Sequence, residues 1–283
     1  MDKKIKDYYF KSRRFFIQVF ATLATNLKVQ NFFKGTIYSG KLKGVCVPGL
    51  NCYSCPAALG ACPIGSFQAV VGSIKYNFSY YVAGIMMLFG TLFGRLICGF
   101  LCPFGLFQDI VYRIKSKKLS TEKFKYLKYL KYLILVIVVW MMPVFLGDEF
   151  GATIPYFCKY ICPQGILEGG IPLSIANPAI RSSLGNLFLL KSAILILLIV
   201  GSVFMYRPFC KFLCPLGAFY AVFNKVSFFK YEVKEDKCIK CGKCKKACDM
   251  DVDMRISQDN LECIRCDKCR GVCPTDAICR KFK

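Results

Sequence analysis

Histidine is absent from the 283 residues of this chain. Its absence excludes bis-histidine haem, Rieske ligation, histidine-containing zinc sites and imidazole acid–base catalysis, so no haem is expected. Acidic residues are also few, because 17 Asp and Glu stand against 40 Lys and Arg for a formal charge of +23. The chain lacks a dinucleotide-binding fingerprint and a Walker loop. Nicotinamide or ATP chemistry would therefore have to come from a partner.

Cysteine and apolar residues are abundant instead. There are 19 cysteines, and 55% of the residues are hydrophobic, above the roughly 45–50% of an ordinary soluble domain. Disulfide frameworks belong to small secreted domains, so metal ligation is the leading interpretation of the cysteines. The basic residues lie beside apolar segments, which predicts contact with anionic lipid rather than with nucleic acid.

Four apolar stretches are predicted to cross a lipid bilayer, each near the roughly 20 residues that one crossing needs. They cover residues 15–33, 80–97, 132–146 and 187–206. Basic residues concentrate before the first stretch and between the second and third. The positive-inside rule therefore predicts a multi-pass protein of the cell membrane with both termini in the cytoplasm. Asp109, Asp148, Glu149 and Glu168 lie near predicted span ends, where capping, solvation or proton transfer to a quinone would each explain them.

Two cysteine runs near the C-terminus carry the strongest signal: Cys238-x2-Cys241-x2-Cys244-x3-Cys248 and Cys263-x2-Cys266-x2-Cys269-x3-Cys273-Pro274. This is the bacterial ferredoxin pattern for two [4Fe–4S] clusters, in which the fourth cysteine of each run ligates the other cluster. One predicted ligand set is Cys238, Cys241, Cys244 and Cys273; the second is Cys263, Cys266, Cys269 and Cys248. The predicted fold is mainly α: a four-helix transmembrane domain over residues 1–228, then a cytoplasmic α+β ferredoxin-like domain over 229–283.

A Cys-Pro-x-Gly tetrapeptide recurs four times, beginning at Cys62, Cys102, Cys162 and Cys214. Three copies have another cysteine four residues earlier, at Cys98, Cys158 and Cys210. Proline restricts the preceding backbone and glycine permits a close approach, so such a turn can present two thiolates to one cluster. Orientation places two pairs at the cytoplasmic edge, and the predicted inner cluster is ligated by Cys98, Cys102, Cys210 and Cys214. Arg95, Arg207 and Lys211 would offset its charge.

Six cysteines remain on the opposite side, more than one cluster requires. By analogy with the inner cluster, an outer [4Fe–4S] cluster is predicted on Cys55, Cys62, Cys158 and Cys162. Cys46 and Cys52 would then form a stabilising disulfide or a redox-active dithiol. The alternative is that all six form disulfides, which an oxidising exterior permits. Cys279 fits no pattern.

The segments Gly94-Arg-Leu-Ile-Cys-Gly-Phe-Leu-Cys-Pro-Phe-Gly105 and Arg207-Pro-Phe-Cys-Lys-Phe-Leu-Cys-Pro-Leu-Gly217, with the dicluster tail, resemble the NapH-like membrane ferredoxins. The resemblance covers roughly residues 80–280. It implies four transmembrane helices, cytoplasmic clusters and electron transfer between a membrane donor and a redox partner. Because that donor is quinol in better-known members, a quinone is a candidate cofactor. The additional cysteines at 46–62 and at 158 and 162 resemble a less characterised branch of 4Fe–4S membrane proteins.

Three functions follow from these patterns. The favoured one is an electron-transfer subunit of an oxidoreductase system, which relays electrons from a cytoplasmic donor or acceptor, through the clusters, to an extracytoplasmic redox partner. The second is a one-sided quinol dehydrogenase subunit, which needs no outer cluster. The third is an outward thiol–disulfide reductase that uses Cys46 and Cys52.

Overall fold

The computed structural model describes residues 3–73, 79–124, 126–147 and 154–282, of which residues 3–12 and 123 by their backbone alone. The chain is mostly helical in these ranges. Its α-helical segments before the tail, in chain order, are Lys3–Thr25, Gln30–Lys34, Pro63–Gly72, Tyr80–Phe93, Leu96–Phe100, Pro103–Tyr112, Leu130–Ile134, Met142–Phe145, Pro163–Gly165, Ile171–Ala176, Pro178–Ser182, Asn186–Phe204, Pro208–Phe212 and Pro215–Phe223. Wider π-helical turns cover Leu135–Met141, Phe157–Ile161 and Ile166–Gly170.

Two helices, Tyr126–Phe145 and Asn186–Phe204, are long and apolar enough to cross a membrane, by length and composition. They coincide with the third and fourth predicted stretches. At 1.5 Å per residue each is about 30 Å long, the thickness of the hydrocarbon core. Leu189, Ile196 and Leu197 of the second helix are exposed, as expected for a surface that faces lipid. These helices indicate a membrane-associated protein.

The first two predicted stretches differ from the helices observed. The apolar helix Tyr80–Phe93 has only 14 residues, about 21 Å, because the chain breaks at Gly94 with φ +54°. The Asn224 side chain accepts a hydrogen bond from the Arg95 amide at 2.9 Å and lies where a Cβ of Gly94 would sit. The N-terminal helix ends at Thr25 rather than continuing to residue 33. Four continuous spans are therefore not confirmed.

The C-terminal segment, residues 229–282, is called the tail below. Its strands Phe229–Val233 and Ile278–Phe282 pair antiparallel, and its short helices are Lys243–Lys246 and Lys268–Gly271. Alternate residues of the first strand, Phe229, Tyr231 and Val233, are buried, the period expected for a strand with one covered face. The tail therefore combines a small sheet with short helices, and it contains the two cysteine runs.

Candidate iron–sulfur centres

Each Cys-Pro-x-Gly copy adopts the same local structure. The cysteine is extended and precedes a helix whose first residue is the proline, a position that needs no amide hydrogen. The thiol therefore lies over the helix N-terminus, where free amides and the helix dipole favour a thiolate. In the last copy the Gly217 amide donates to Cys214 Sγ at 3.3 Å. The motif thus presents a cysteine thiol to the free amides of a helix at four places in the fold.

The inner site is defined by four buried cysteines whose thiols are close enough to interact electrostatically: Cys98, Cys102, Cys210 and Cys214. Two fully buried guanidinium groups surround it. Arg207 donates to the Cys98 carbonyl at 2.5 Å, and Arg95 donates to the Cys210 carbonyl at 3.3 Å. Arg95 Nε has no hydrogen-bond partner among the residues that the structure describes, and the Arg95 guanidinium lies beside the Cys98 thiol. An unpaired buried donor at this position fits a sulfur-rich anionic cluster.

Lys211 is also buried but does not face the inner site. Its Nζ donates to the Asp249 carbonyl at 2.8 Å and pairs with Asp251 at 3.0 Å, both in the tail. Lys211 was predicted to offset the charge of the inner cluster. In the structure it forms an ion pair with the tail instead.

The outer site brings together a different set from the one predicted. A cavity of about 410 Å³ is lined by four cysteines, namely Cys52, Cys62, Cys158 and Cys162. Their thiols are mutually close enough to interact electrostatically. Lys191 contacts this site, with its Nζ 3.1 Å from the Cys158 carbonyl.

Cys55 does not line this cavity. It packs with Ala57 and Ala58 in a small separate cluster, and its thiol faces Asn26 Oδ1 at 3.7 Å. Cys52 is turned toward the cavity, with its amide donating to Glu168 Oε2 at 3.2 Å. The geometry therefore favours Cys52 over Cys55 as the fourth thiolate, a replacement that cysteine spacing alone does not reveal.

All nineteen cysteines are free thiols. Cys46 is buried, hydrogen bonds to the Ser66 side chain and interacts with no other cysteine. The structure does not bring Cys46 and Cys52 together as a dithiol. Cys279 lies on the last strand opposite Glu232, apart from all these sites.

Two glutamines that were not predicted from the sequence make matching hydrogen bonds in the inner and outer sites. Gln108 Nε2 donates to Cys210 Sγ at 3.2 Å, and its Oε1 accepts from the Phe209 amide at 3.2 Å. Gln68 Nε2 donates to Cys158 Sγ at 3.4 Å, and its Oε1 accepts from the Phe157 amide at 2.9 Å. The signal was present as Cys-Pro-x-Gly-x-Phe-Gln after both Cys62 and Cys102. The outer site therefore repeats the inner one in hydrogen bonding as well as in cysteines.

The tail brings its eight cysteines into the two predicted groups. The distal site lies around a cavity lined by Cys238, Cys241, Cys244 and Cys273. The proximal site is lined by Cys248, Cys263, Cys266 and Cys269. In the ranges that the structure describes, no three His, Cys, Asp or Glu side chains are grouped to hold a single metal ion. Four thiols around a shared centre instead fit a cluster of several irons.

The proximal site lies directly against the inner site. A Cβ on Gly99, next to Cys98, would collide with the Ile264 carbonyl of the proximal cysteine loop. Arg265 of the same loop donates to the Phe93 and Asn224 carbonyls at 2.9 and 3.0 Å. Only glycine permits this approach, so the loop between Cys263 and Cys266 is a close contact between the tail and the inner site.

A buried ion cluster reinforces the contact. Glu262 pairs with Arg95 at 2.9 Å and with Lys131 at 2.5 Å, and both cations are fully buried. Burial by itself would raise the pKa of Glu262, but the charges of Arg95 and Lys131 outweigh burial and hold that pKa below its usual value. Glu262 is therefore ionised and links the tail to the helix that carries Lys131.

Residues 47–51 lie between the inner and outer sites. The Leu50 amide hydrogen bonds to the Cys102 thiol, and the Leu50 carbonyl accepts from Gln164 at 3.4 Å. A Cβ on Gly49 would lie 2.8 Å from the Leu101 carbonyl. This tertiary contact was not predicted, and Gly49 was its only sequence signal.

We predict that the two glutamines tune one cluster each. An N–H···S bond is stronger to the reduced, more negative cluster, so its removal lowers the potential. Gln68→Leu should lower the outer midpoint potential by about 60 mV, equivalent to about 1.4 kcal/mol for one electron. Gln108→Leu should do the same for the inner cluster alone. A redox titration followed by electron paramagnetic resonance measures both midpoint potentials, and each variant serves as the control for the other. If both variants shifted the potential of the same cluster, the assignment of one glutamine to each cluster would be contradicted.

We also predict that Glu262→Gln weakens tail docking by about 3–5 kcal/mol, because it leaves two buried cations without a carboxylate. Glu232→Gln is the matched control, since Glu232 pairs with Lys281 at an exposed site where the expected cost is about 0–1 kcal/mol. Thermal bleaching of cluster absorbance measures the difference. Equal midpoints for the two variants would refute a docking role for Glu262.

Cysteine-lined shells and a ferredoxin-type tail define an iron–sulfur electron-transfer protein. The family described as "4Fe-4S binding domain" matches residues 78–122, 132–171 and 187–234. These matches and the relatives below confirm the resemblance to the NapH-like family of ferredoxin-type electron-transport proteins. No solved structure matches the chain.

Three relatives illustrate the similarity. An uncharacterised protein of Methanocaldococcus jannaschii is 29% identical over 181 residues, which cover 63% of this chain and 68% of the relative. The methylamine utilization ferredoxin-type protein MauN of Methylorubrum extorquens is 24% identical over 224 residues, 76% of this chain and 70% of the relative. The putative electron transport protein YccM of Escherichia coli is 24% identical over 199 residues, 64% of this chain and 49% of the relative.

Proposed function

We propose that the protein relays electrons one at a time through four [4Fe–4S] clusters, in the spatial order distal, proximal, inner and outer. The tail clusters use the two predicted ferredoxin sets, the inner cluster uses Cys98, Cys102, Cys210 and Cys214, and the outer cluster uses Cys52, Cys62, Cys158 and Cys162. The clusters, when bound, supply the one-electron chemistry. The protein's own residues hold, space and electrostatically balance them.

The observation that carries this proposal is the position of Leu50. Its amide meets the Cys102 thiol of the inner site and its carbonyl meets Gln164 of the outer site. Tyr220, fully buried, donates to the Pro48 carbonyl at 3.0 Å in the same segment and neighbours cysteines of both sites. The segment thus forms a continuous, water-poor link between the two shells, as a relay requires.

The proposed arrangement is a multi-pass protein of the cell membrane with both termini in the cytoplasm, the region 1–228 embedded and the region 229–283 cytoplasmic. The basic residues that flank the apolar helices support this orientation. The helix Asn186–Phe204 begins near the outer site, at Lys191, and is followed by Cys210 of the inner site, while residues 47–51 lie between the two sites. The outer cavity of about 410 Å³ has the size of a small-molecule site, so it would let a small acceptor or the edge of an extracytoplasmic redox partner approach the outer cluster.

One-sided quinol oxidation is the second candidate, favoured by a cavity of about 400 Å³ beside the proximal Cys266, which Arg14, Asp109 and Tyr206 also line. The cavity has the size of small-molecule sites, about 300–1,000 Å³. Quinol oxidation also needs a proton acceptor. Burial opposes ionisation of Asp109, but Arg207 and Arg14 outweigh it and hold its pKa at about 2, which makes this carboxylate a poor one. Asp148 and Glu149 lie outside the described residues.

The thiol-reductase alternative has little geometric support, because Cys46 lies apart from Cys52. Glu168, beside Cys52, remains as a candidate proton carrier on the outer side. Its burial raises its pKa to about 7, partly offset by the hydrogen bond from the Cys52 amide.

Vesicles with ferricyanide trapped inside and dithionite added outside test the relay. The chain, reconstituted with its tail outward and loaded with clusters, should reduce the trapped ferricyanide and contain about 16 irons, four per cluster. A Cys158→Ser/Cys162→Ser variant should retain about 12 irons and leave the trapped ferricyanide oxidised. Trapped oxidant that stays unreduced by the parent chain with all 16 irons would refute a transmembrane relay; about 12 irons in the parent would support the one-sided alternative.

A further inference from the structure

The two cysteine runs of the tail have matching backbones but different surroundings. Lys240 in the distal run has φ +51° and Arg265 in the proximal run has φ +52°. Each occupies the third position of a Cys-Ile-Lys/Arg-Cys turn, preceded by Ile239 or Ile264. The runs therefore present the same shape, one isoleucine followed by one cation, at the edge of their clusters.

The proximal turn is fully used as a docking surface. Ile264 is 1% exposed and Arg265 is 3% exposed, because both pack against the inner site. The Ile264 carbonyl lies against Gly99, and the Arg265 guanidinium binds the Phe93 carbonyl. This turn is the place where the structure brings the proximal cluster site against another redox site.

The equivalent distal turn has no such cover. Ile239 is 63% exposed, and Lys240 and Cys241 are exposed as well. The proximal turn has the equivalent isoleucine, but there the side chain is buried against the inner site. The distal turn is therefore a second docking edge left open to solution.

Charge defines what fits this edge. Five exposed lysines lie within ten residues around the distal turn: Lys237, Lys240, Lys243, Lys245 and Lys246. Lys245 pairs with Glu122 at 3.6 Å, and the other four form no ion pair with any residue that the structure describes. These ten residues contain no Asp or Glu, and the nearest acidic residues on the N-terminal side are Glu235 and Asp236. Such a basic face attracts an acidic partner and accelerates its association.

We propose that this basic distal edge, formed by Ile239, Lys240, Cys241 and the flanking lysines, docks an acidic, soluble one-electron carrier protein. The inference rests on the proposed relay and names the partner at its cytoplasmic end. In each encounter the carrier would lose one electron, and the distal cluster that Cys238, Cys241, Cys244 and Cys273 would hold would gain it. No bond forms or breaks, and no proton moves.

The test uses the full, cluster-loaded chain in phosphatidylcholine nanodiscs, mixed in a stopped-flow instrument with an acidic, pre-reduced soluble 2[4Fe–4S] ferredoxin. The bimolecular rate should fall at least about tenfold when salt rises from about 0.05 to 0.5 M, as steering is screened. Lys240→Glu/Lys243→Glu should lower the low-salt rate at least about tenfold. Lys34→Glu/Lys41→Glu, with the same charge change on exposed residues of another region, should leave it unchanged.

Dithionite reduction provides the internal check. If the Lys240→Glu/Lys243→Glu variant loses its distal cluster, the test is repeated with Lys237→Glu/Lys246→Glu, whose substitutions flank the turn. Normal reduction of the clusters by dithionite with slow reduction by ferredoxin supports the proposal, whereas failure of both reagents to reduce the clusters would contradict the relay itself. A ferredoxin rate within about twofold of the parent overturns the proposal, since steering should change it by at least about tenfold. Loss of binding to phosphatidylglycerol vesicles with an unchanged ferredoxin rate would assign the lysines to lipid instead.

Discussion

Gly99→Ala is expected to retain every cluster and yet slow electron transfer from the tail to the inner site severalfold, because the rate of electron tunnelling falls steeply with the distance between two clusters. A Cβ at this position would overlap the Ile264 carbonyl oxygen, which belongs to the backbone and has no rotamer by which to move away. The proximal loop must therefore shift outward. Because Cys263 immediately precedes Ile264, the shift carries the proximal cluster away from Cys98.

Gly84→Ala is the matched control. Gly84 lies in the helix Tyr80–Phe93, and a Cβ there would meet no atom within 4 Å. Freeze-quenched samples, taken after the tail is reduced, would report inner-cluster reduction by electron paramagnetic resonance, and iron content would verify that the clusters remain. If Gly99→Ala reduces its inner cluster as fast as Gly84→Ala, the loop at Ile264 is not the route.

The tail illustrates what sequence can establish. Cysteine spacing predicted how its eight cysteines divide into two groups, and the cavities of the tail are lined by the same two groups. The inner site was equally accessible, since its cysteines occur in two matched Cys-x3-Cys-Pro pairs. Local geometry, repeated and rigid, is encoded in local sequence.

Contacts between distant segments were less accessible. The helix after Tyr80 ends at Gly94 because Asn224, 129 residues beyond Arg95, occupies the adjoining space and accepts its amide hydrogen. Apolar composition continues through residue 97 and therefore predicted too long a span. Likewise, nothing local requires Leu50 to reach Cys102. Such positions depend on tertiary packing, which hydrophobic periodicity does not specify.

Cys52→Ser is expected to abolish the outer cluster and lower the iron content from about 16 to about 12 per chain, because a [4Fe–4S] cluster uses four thiolates. Cys52 lines the outer cavity with Cys62, Cys158 and Cys162, and Glu168 fixes its backbone through the Cys52 amide. The matched control is Cys55→Ser, three residues away. It should keep all four clusters.

The contrast between the two variants decides whether the fourth ligand of the outer cluster is Cys55, as spacing predicts, or Cys52, as the structure favours. Cys55 has the more ligand-like sequence context, because proline follows it as it follows the Cys-Pro-x-Gly cysteines. Its carbonyl accepts a hydrogen bond from buried Lys43 at 3.1 Å, which ties this segment to its own small cluster instead of the outer cavity. Iron and acid-labile sulfide, measured on anaerobically purified protein, distinguish the cases. Loss of four irons in Cys55→Ser with full content in Cys52→Ser would restore the spacing-based assignment and require the segment 52–55 to turn over when the cluster binds.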